Sequence, residues 1–219
     1  MIIYECRLHL ARELAANEAL TLRDLFGTEF EQHVFDHGRG DDGRPRFEYP
    51  RVQFKVMDSM AVLLGINEGA DLLEDLCSGL ELGKLSDGKV PVVDLHLESR
   101  DAEFTFAGGP IDYRFVTPWL ALNQQNFRSY TGSRNTKFRK DELSRILIGN
   151  CLGAAKSLGI AFPGHVSADC GRLTSIKTTL KGNGVIGFVG RFQVNLHLPE
   201  LIGLGRSAFQ GFGAVSCRP

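Results

Sequence analysis

Two strand-like segments separated by only two residues constrain the fold of the first half of this chain. Residues 51–57 and 60–66 are rich in apolar and β-branched side chains, and Asp58-Ser59 between them suits a tight turn. They predict an antiparallel hairpin. Before it, alternating residues predict a strand over 2–10, and apolar residues at helical spacing predict a helix over 22–35.

The segments after the hairpin extend this order. A second helix fits residues 68–76, and a further strand fits either 92–97 or 103–106. The order strand, helix, strand, strand, helix, strand is that of a ferredoxin-like or RRM-like unit. We place the end of this first domain at the Gly-Gly-Pro segment 107–110, which gives domains at 1–110 and 111–219.

The second half predicts a less regular copy of the same unit. A strand is expected at 113–116, then a basic loop that ends at Lys140, a long helix over 143–158, and strands over 166–179 and 186–198. The fold class is therefore α+β, with two tandem ferredoxin-like domains built on antiparallel sheets. Arg191, Gln193, Asn195 and His197 share one face of the last long strand, either as a binding surface or as a solvated face.

Charge is divided unevenly between the halves. Residues 1–112 hold 11 Lys and Arg against 22 Asp and Glu, a formal charge of −11, whereas residues 113–219 hold 14 against 4, a formal charge of +10. A basic half is what a polyanion such as RNA selects. The alternative is that the basic face docks on the acidic half of the same chain.

A glycine-rich segment, GLGRSAFQGFG at residues 203–213, repeats a glycine-apolar-glycine triplet around Arg206. Glycines reach positive φ without steric cost, and several in one loop can turn successive N–H groups toward an anion. An RNA phosphate is the expected anion. The alternative is a plain glycine-rich hairpin before a last strand at 212–215.

Several other classes of protein are not indicated. No apolar run approaches the length of a membrane span, the start lacks an export signal, and five scattered cysteines form no CxxC pair, so a cytoplasmic protein without membrane contact is expected. Walker, HExxH and GxSxG motifs are missing from the sequence, and no cofactor is expected. His33 and His37 have zinc-ligand spacing but lack a third ligand, so no metal site is expected either.

His37 lies among basic and phenolic side chains that suit RNA cleavage by the RNA's own 2′-hydroxyl. Within eighteen residues it is followed by Arg39, Arg44, Arg46, Tyr49, Arg51 and Lys55. A neutral imidazole takes the hydroxyl proton, cations stabilise the crowded phosphate, and an acid protonates the departing 5′ oxygen. Tyr49, which precedes Pro50, could instead cap the following strand.

Four segments in chain order resemble one family, the CRISPR-associated repeat-cleaving endoribonucleases, the sixth Cas family of the RAMP superfamily. Residues 203–213 are similar to its C-terminal glycine-rich loop, and Tyr49-Pro-Arg-Val-Gln-Phe-Lys55 resembles its YP-hydrophobic-QYK segment. Residues 113–123 and 143–158 resemble the opening strand and the long helix of its second domain. The resemblance covers nearly the whole chain.

The resemblance implies metal-independent cleavage of CRISPR repeat RNA in precursor transcripts, leaving a 2′,3′-cyclic phosphate. His37 matches the second histidine of the family's His-Asn-His setting, here Phe35-Asp36-His37, so it is the expected general base; the general acid stays open, with Tyr49 and Lys55 as candidates for leaving-group protonation and phosphate stabilisation. A non-catalytic guide-RNA-binding subunit is the alternative, because the first histidine of the setting is absent. Effector-complex subunits and a second copy of the chain are further expected partners. The expected RNA-binding residues are Gly203, Gly205, Arg206, Gly211, Gly213, Arg191, Lys137, Arg139 and Lys177.

Overall fold

A computed structural model describes residues 1–14, 19, 49–78 and 92–217, which form two compact units. The first unit comprises residues 1–102 with 209–211, and the second comprises 103–208 with 212–219. The sequence placed the boundary after Pro110 instead. Residues 107–110 lie inside a strand of the second unit, at a shift of its register between Phe106 and Ile111, so the Gly-Gly-Pro segment marks an irregularity in a strand.

The first unit holds strands β1 (Ile2–Leu10), β2 (Val52–Met57), β3 (Met60–Ile66) and β4 (Val92–Asp101) and the helix α1 (Glu68–Ser78). The strands form one antiparallel sheet in the order β2-β3-β1-β4, which is the ferredoxin-like order. The predicted hairpin is confirmed, with Asp58 and Ser59 at positive φ in its turn. Of the two candidates for the last strand, 92–97 is correct; the predicted helix over 22–35 lies outside the described residues.

Both faces of the central strands of this sheet are buried. One face, including Cys6, Phe54 and Leu63, packs with Leu73 of α1 in the main apolar core. Most residues of the opposite face are buried too, although Arg7 is 39% exposed, and polar side chains lie there among apolar ones. Buried polar groups persist only where hydrogen bonds or ion pairs satisfy them. Glu5, Gln53 and Lys55, the buried polar residues of this face, are therefore expected to have such partners.

The second unit holds strands β5 (Thr105–Trp119), β6 (Ala168–Leu180), β7 (Asn183–His197) and β8 (Val215–Ser216), with helices α2 (Gln124–Gly132) and α3 (Thr136–Ser157) between β5 and β6. Its sheet is antiparallel in the order β6-β7-β5-β8, again the ferredoxin-like order. The expected basic loop up to Lys140 is wrong, because α2 and the start of α3 occupy it. The caps explain the error: Asn123 and Asn135 accept hydrogen bonds from the first turns of α2 and α3.

The predicted irregularity of the second copy is confirmed. In the described chain, the connection from β7 to β8 contains only a short 3-10 turn, Ala208–Gln210, where the first unit has α1 between β3 and β4. The glycine-rich segment 203–213 therefore takes the place of the second helix of a ferredoxin-like unit. Its glycines and its lack of helical apolar spacing disfavour a helix there.

The predicted apolar face of the long helix is largely buried, whereas its two mid-helix glycines are not contact points. Leu143, Ile146, Leu147, Cys151, Ala154 and Ala155 are buried. Gly149 and Gly153 lie one helical turn apart, but a Cβ at either would meet no atom of another element within 4 Å. No helix in the described part of the chain is long and apolar enough to cross a membrane.

Candidate functional site

A buried carboxylate anchors the polar face of the first sheet. Glu5 of β1 is only 3% exposed and accepts hydrogen bonds from Arg7 on its own strand and from Arg100 of β4, with N–O distances of 2.6 Å to each of its oxygens. Burial alone would raise the pKa of Glu5, but the bonds from Arg100 and Arg7 outweigh it and lower the pKa. Glu5 is therefore held as a carboxylate.

Lys55 lies on the same face and is completely buried. Its Nζ donates to Gln53 Oε1 at 2.8 Å, and Gln53 Nε2 donates to Tyr49 Oη at 2.8 Å. We call these three residues the Tyr49 triad. Burial lowers the pKa of Lys55 to about 7, against an opposing effect from the charge of Glu5. Neutral and charged forms of Lys55 therefore coexist near neutral pH.

The triad brings together two of the three side chains that the sequence indicated for catalysis. Tyr49 is half-buried, Lys55 is fully buried, and Gln53 bridges them. His37, the expected general base, lies outside the described residues. Sequence reasoning did not single out Gln53 or Glu5, although the alternation of Gln53 and Lys55 with apolar residues along β2 placed both on one face.

The two ends of the glycine-rich segment are held tightly against the second unit. Gly203 pairs with Ala214, Leu204 N donates to the carbonyl of Gly213, and Gly213 N donates to the carbonyl of Pro118. Gly203, Gly211 and Gly213 are buried, and Gly213 at φ +68° is so crowded that a Cβ would overlap the carbonyl of Leu204. These packing contacts explain why glycines are needed at the three positions. Phosphate binding by the segment stays a prediction.

Arg206 is the exposed residue of the segment, and Gly205 beside it is partly exposed. Gly205 has φ +87°, and a Cβ there would lie 2.6 Å from Trp119 Nε1, which donates to Asn150 Oδ1 at 3.0 Å. Arg206 is exposed, and its Nη1 donates to the carbonyl of Leu122 at 3.2 Å. The segment thus presents one arginine while its main chain packs inward. Its tip, residues 209–211, belongs to the first unit.

A basic helical hairpin, residues 124–145 of α2 and α3, is the second accessible feature. Its exposed cations are Arg128, Arg134, Lys137, Lys140 and Arg145. Phe127 and Phe138 are also exposed, at 43% and 39%. The guanidinium of Arg139 is already engaged, since it lies 5.2 Å from the ring centre of Tyr130 and its Nε donates to the carbonyl of Tyr130. Cations interleaved with exposed aromatic rings are typical of surfaces that bind single-stranded nucleic acid.

Three arginines occupy one row across the exposed face of the second sheet. Arg191 of β7 is directly opposite Arg114 of β5 on one side and Arg172 of β6 on the other, and all three are exposed. Like charges directly opposite each other destabilise a sheet. Asp112, 3.4 Å from Arg172, offsets part of this repulsion. The sequence indicated Arg191, whereas its two neighbours follow only from the register. Lys177 is exposed on β6.

Two cavities adjoin Arg206 within the second unit. The first, which we call the α2 cavity, has a volume of about 470 Å³ and is lined by Leu120, Leu122, Asn123, Gln124, Phe127, Arg128, Gly184, Val185, Ile186 and Arg206. The second, of about 500 Å³, extends toward α3 and includes Glu142 and Arg145. In the described part of the chain, no group of three or more His, Cys, Asp or Glu is placed to hold a metal ion.

Each half of the chain matches a domain model of a known protein family. The model of the Cas6b N-terminal domain matches residues 1–103, and the model of the Cas6b C-terminal domain matches residues 105–217. The two matches follow one another in chain order and meet within two residues of the division between Ala102 and Glu103 that separates the compact units.

Solved structures and a curated relative agree with this assignment. A crystal structure of Cas6b superposes with a TM-score of 0.84 at 26% identity, covering 98% of this chain and 99% of that one. A crystal structure of the CRISPR RNA processing endoribonuclease Cas6b superposes with a TM-score of 0.74 at 28% identity, covering 98% of each chain. An uncharacterized protein of Methanocaldococcus jannaschii is 35% identical over 124 residues, 57% of this chain and 84% of that protein.

Proposed function

The chain belongs to the Cas6b family, and from this premise we propose that it cleaves CRISPR repeat RNA in precursor transcripts by attack of a 2′-hydroxyl. The observation that carries the proposal is the match of both Cas6b domains, in order, over nearly the whole chain. One of the similar solved structures is that of a CRISPR RNA processing endoribonuclease, which supports the proposed cleavage.

In the proposed reaction the RNA supplies its own nucleophile and no metal ion takes part. His37 accepts the proton of the 2′-hydroxyl as that oxygen bonds to the adjacent phosphorus. The bond from phosphorus to the 5′ oxygen breaks, and Tyr49 donates a proton to the departing oxygen. The products are a 2′,3′-cyclic phosphate and a 5′-hydroxyl.

The triad suggests how Tyr49 is positioned. Gln53 Nε2 donates to Tyr49 Oη, which orients a lone pair of this oxygen toward Gln53. Lys55 Nζ in turn donates to Gln53 Oε1 and holds the carboxamide in place. Because Lys55 is completely buried, it supports the reaction through Gln53 and through the positive charge that it carries in part near neutral pH. We therefore propose Lys55 and Gln53 as positioning residues for Tyr49.

RNA binding is proposed for the exposed cations of the second unit. Arg206 contacts backbone phosphate beside Gly205, while the buried Gly203, Gly211 and Gly213 shape the segment that presents it. Arg191, Lys137 and Lys177 extend the basic surface, and Arg139 supports it by fixing Tyr130. Association with effector subunits, or of two copies of the chain, stays a prediction.

A cleavage assay tests the proposal directly. The purified protein, in excess over the repeat RNA of its own CRISPR array and in EDTA, is expected to cut each repeat at one position. The 5′ fragment is expected to end in a cyclic phosphate. Loss of cleavage in EDTA, with recovery on addition of a divalent cation, would contradict the metal-independent mechanism.

Substitution of the expected base separates cleavage from binding. His37→Ala is expected to reduce the single-turnover rate by about 10²–10⁴-fold and to change RNA affinity only a few-fold, since phosphate contacts carry most of the affinity. His33→Ala is the matched control, four residues earlier, and is expected to cleave normally. An equal loss in both variants would contradict the assignment of His37.

A guide-RNA-binding subunit without catalysis is the second candidate. The absence of the first histidine of the His-Asn-His setting, where this sequence has Phe35, favours it. In that case the protein would bind repeat RNA in a salt-sensitive manner and cut it neither in EDTA nor with divalent cations.

A further inference from the structure

The α2 cavity has the properties of a site for a single base. We propose that it receives one unpaired nucleobase of the bound RNA, stacked on Phe127, with the flanking phosphates on Arg128 and Arg206. This inference rests on the proposed function and deepens it, because it assigns a site that distinguishes an unpaired position in the substrate from a paired one.

The size and the walls of the cavity fit a flat, partly apolar ring. Its volume of about 470 Å³ lies within the range of small-molecule sites in proteins. Leu120, Leu122 and Ile186 supply apolar walls, and the ring of Phe127 at its rim is 43% exposed. An exposed phenylalanine that lines a cavity is placed to stack with a base, because every base has a π-face.

The charges around the cavity favour an anionic backbone. Among the described residues that line it, Arg128 and Arg206 are basic and none is acidic, whereas the neighbouring cavity contains Glu142. Arg206 is fixed at the boundary of the two cavities by its bond to the carbonyl of Leu122. A strand whose phosphates follow the two arginines would direct a base between them.

One polar side chain can read the edge of the inserted base. Gln124, the first residue of α2, is exposed and lines the cavity. Its carboxamide offers both a donor and an acceptor, the combination that pairs with base edges. Asn123, beside it, is committed through Oδ1 to the first turn of α2. Gln124 is therefore expected to determine which base is preferred at this position.

An abasic scan combined with one substitution tests the inference. The probe is the repeat RNA of the protein's own array, made uncleavable by a 2′-deoxy residue at the cut site, with one base removed at a time. Removal at one unpaired position is expected to weaken binding by wild-type protein about 5- to 150-fold, the range for loss of one stacked base. Phe127→Ala is expected to bind the intact RNA equally weakly and to be insensitive to removal of that base.

Phe138→Ala is the matched control, because Phe138 is a similarly exposed phenylalanine of the same helical hairpin that does not line the cavity. It is expected to keep wild-type sensitivity at that position. Phe127→Tyr, which retains a ring, is expected to rescue binding. Equal sensitivity of wild type and Phe127→Ala at every abasic position, or equal losses in the two alanine variants, would overturn the inference.

A second probe separates this inference from the proposed function. A short single-stranded oligoadenylate is expected to bind Phe127→Ala more weakly than wild type, and to bind Phe127→Tyr as tightly as wild type. If the repeat is not cleaved but this difference remains, the proposed function fails and the base site stands. If the repeat is cleaved and neither probe distinguishes Phe127→Ala, the base site fails, and a protein partner becomes the better occupant of the cavity.

Discussion

Lys55 Nζ donates to Gln53 Oε1 across 2.8 Å in a part of the first unit that water does not reach. The same carboxamide turns its nitrogen to Tyr49 Oη. A buried cation costs free energy, and Gln53, its hydrogen-bond partner among the described residues, is neutral and does not offset that cost. This cost lowers the pKa of Lys55, and the stability of the folded protein therefore depends on pH.

Lys55→Met is expected to change the pH dependence of stability. The pKa of Lys55 is about 7 in the folded protein against 10.5 for an ordinary lysine, so the unfolded chain binds the extra proton between these pH values. The stability of the wild-type protein relative to Lys55→Met should therefore rise with pH across this window, by up to about 1.4 kcal/mol per pH unit, and should be constant below it. Urea unfolding at several pH values measures the difference, and parallel curves for the two proteins would contradict the assigned pKa.

Tyr49→Phe is expected to slow single-turnover cleavage by about 10²–10⁴-fold with RNA affinity nearly unchanged, since it removes only the proposed proton donor. Gln53→Leu should reproduce part of this loss, because Tyr49 Oη then loses its donor from Gln53. Tyr130→Phe is the control, because it keeps the ring and the carbonyl through which Tyr130 contacts Arg139 and Phe188. Normal cleavage by Tyr49→Phe would exclude Tyr49 as the acid.

The sequence predicted correctly those elements whose formation depends on local pattern. The hairpin at 52–66 needed only two apolar runs and a two-residue turn, and the buried face of α3 needed only helical spacing. The helix α2 was missed because it has no buried residue, so no apolar periodicity marks it. Its one signal was the cap, Asn123 with Asn126, which bond reciprocally.

The candidate site was predictable in residue type but not in arrangement. Tyr49, Lys55 and Arg206 could be selected from their motifs, whereas the complete burial of Lys55 is a tertiary property that local pattern does not show. The pairing of Arg114 and Arg172 with Arg191 likewise depends on strand register, including a shift between Asp169 and Arg172. Register between distant strands is set by tertiary packing rather than by local pattern.

Gly205→Ala is expected to destabilise the second unit by more than the conformational cost of a positive φ. Its Cβ would lie 2.6 Å from Trp119 Nε1 and 3.0 Å from Asn150 Oδ1, so it also disturbs the bond between those side chains. Gly182→Ala is the matched control: Gly182 has φ +77° but open space around it, and its cost should be about 1 kcal/mol. Thermal unfolding of both variants measures the difference, and equal losses of stability would show that the contact with Trp119 is unimportant.

Arg206→Ala is expected to weaken binding of repeat RNA and to reduce its salt dependence. If Arg206 neutralises one phosphate of a single strand, the slope of log K against log salt should fall by about 0.7. Lys156→Ala removes an exposed cation from the last turn of α3 that lines neither cavity, and its slope should match that of wild type. Because the two variants lose the same formal charge, a difference between them reports a local contact rather than the overall charge of the basic half. Identical slopes for both variants would contradict the proposed contact of Arg206, and of the glycine-rich segment that presents it, with RNA.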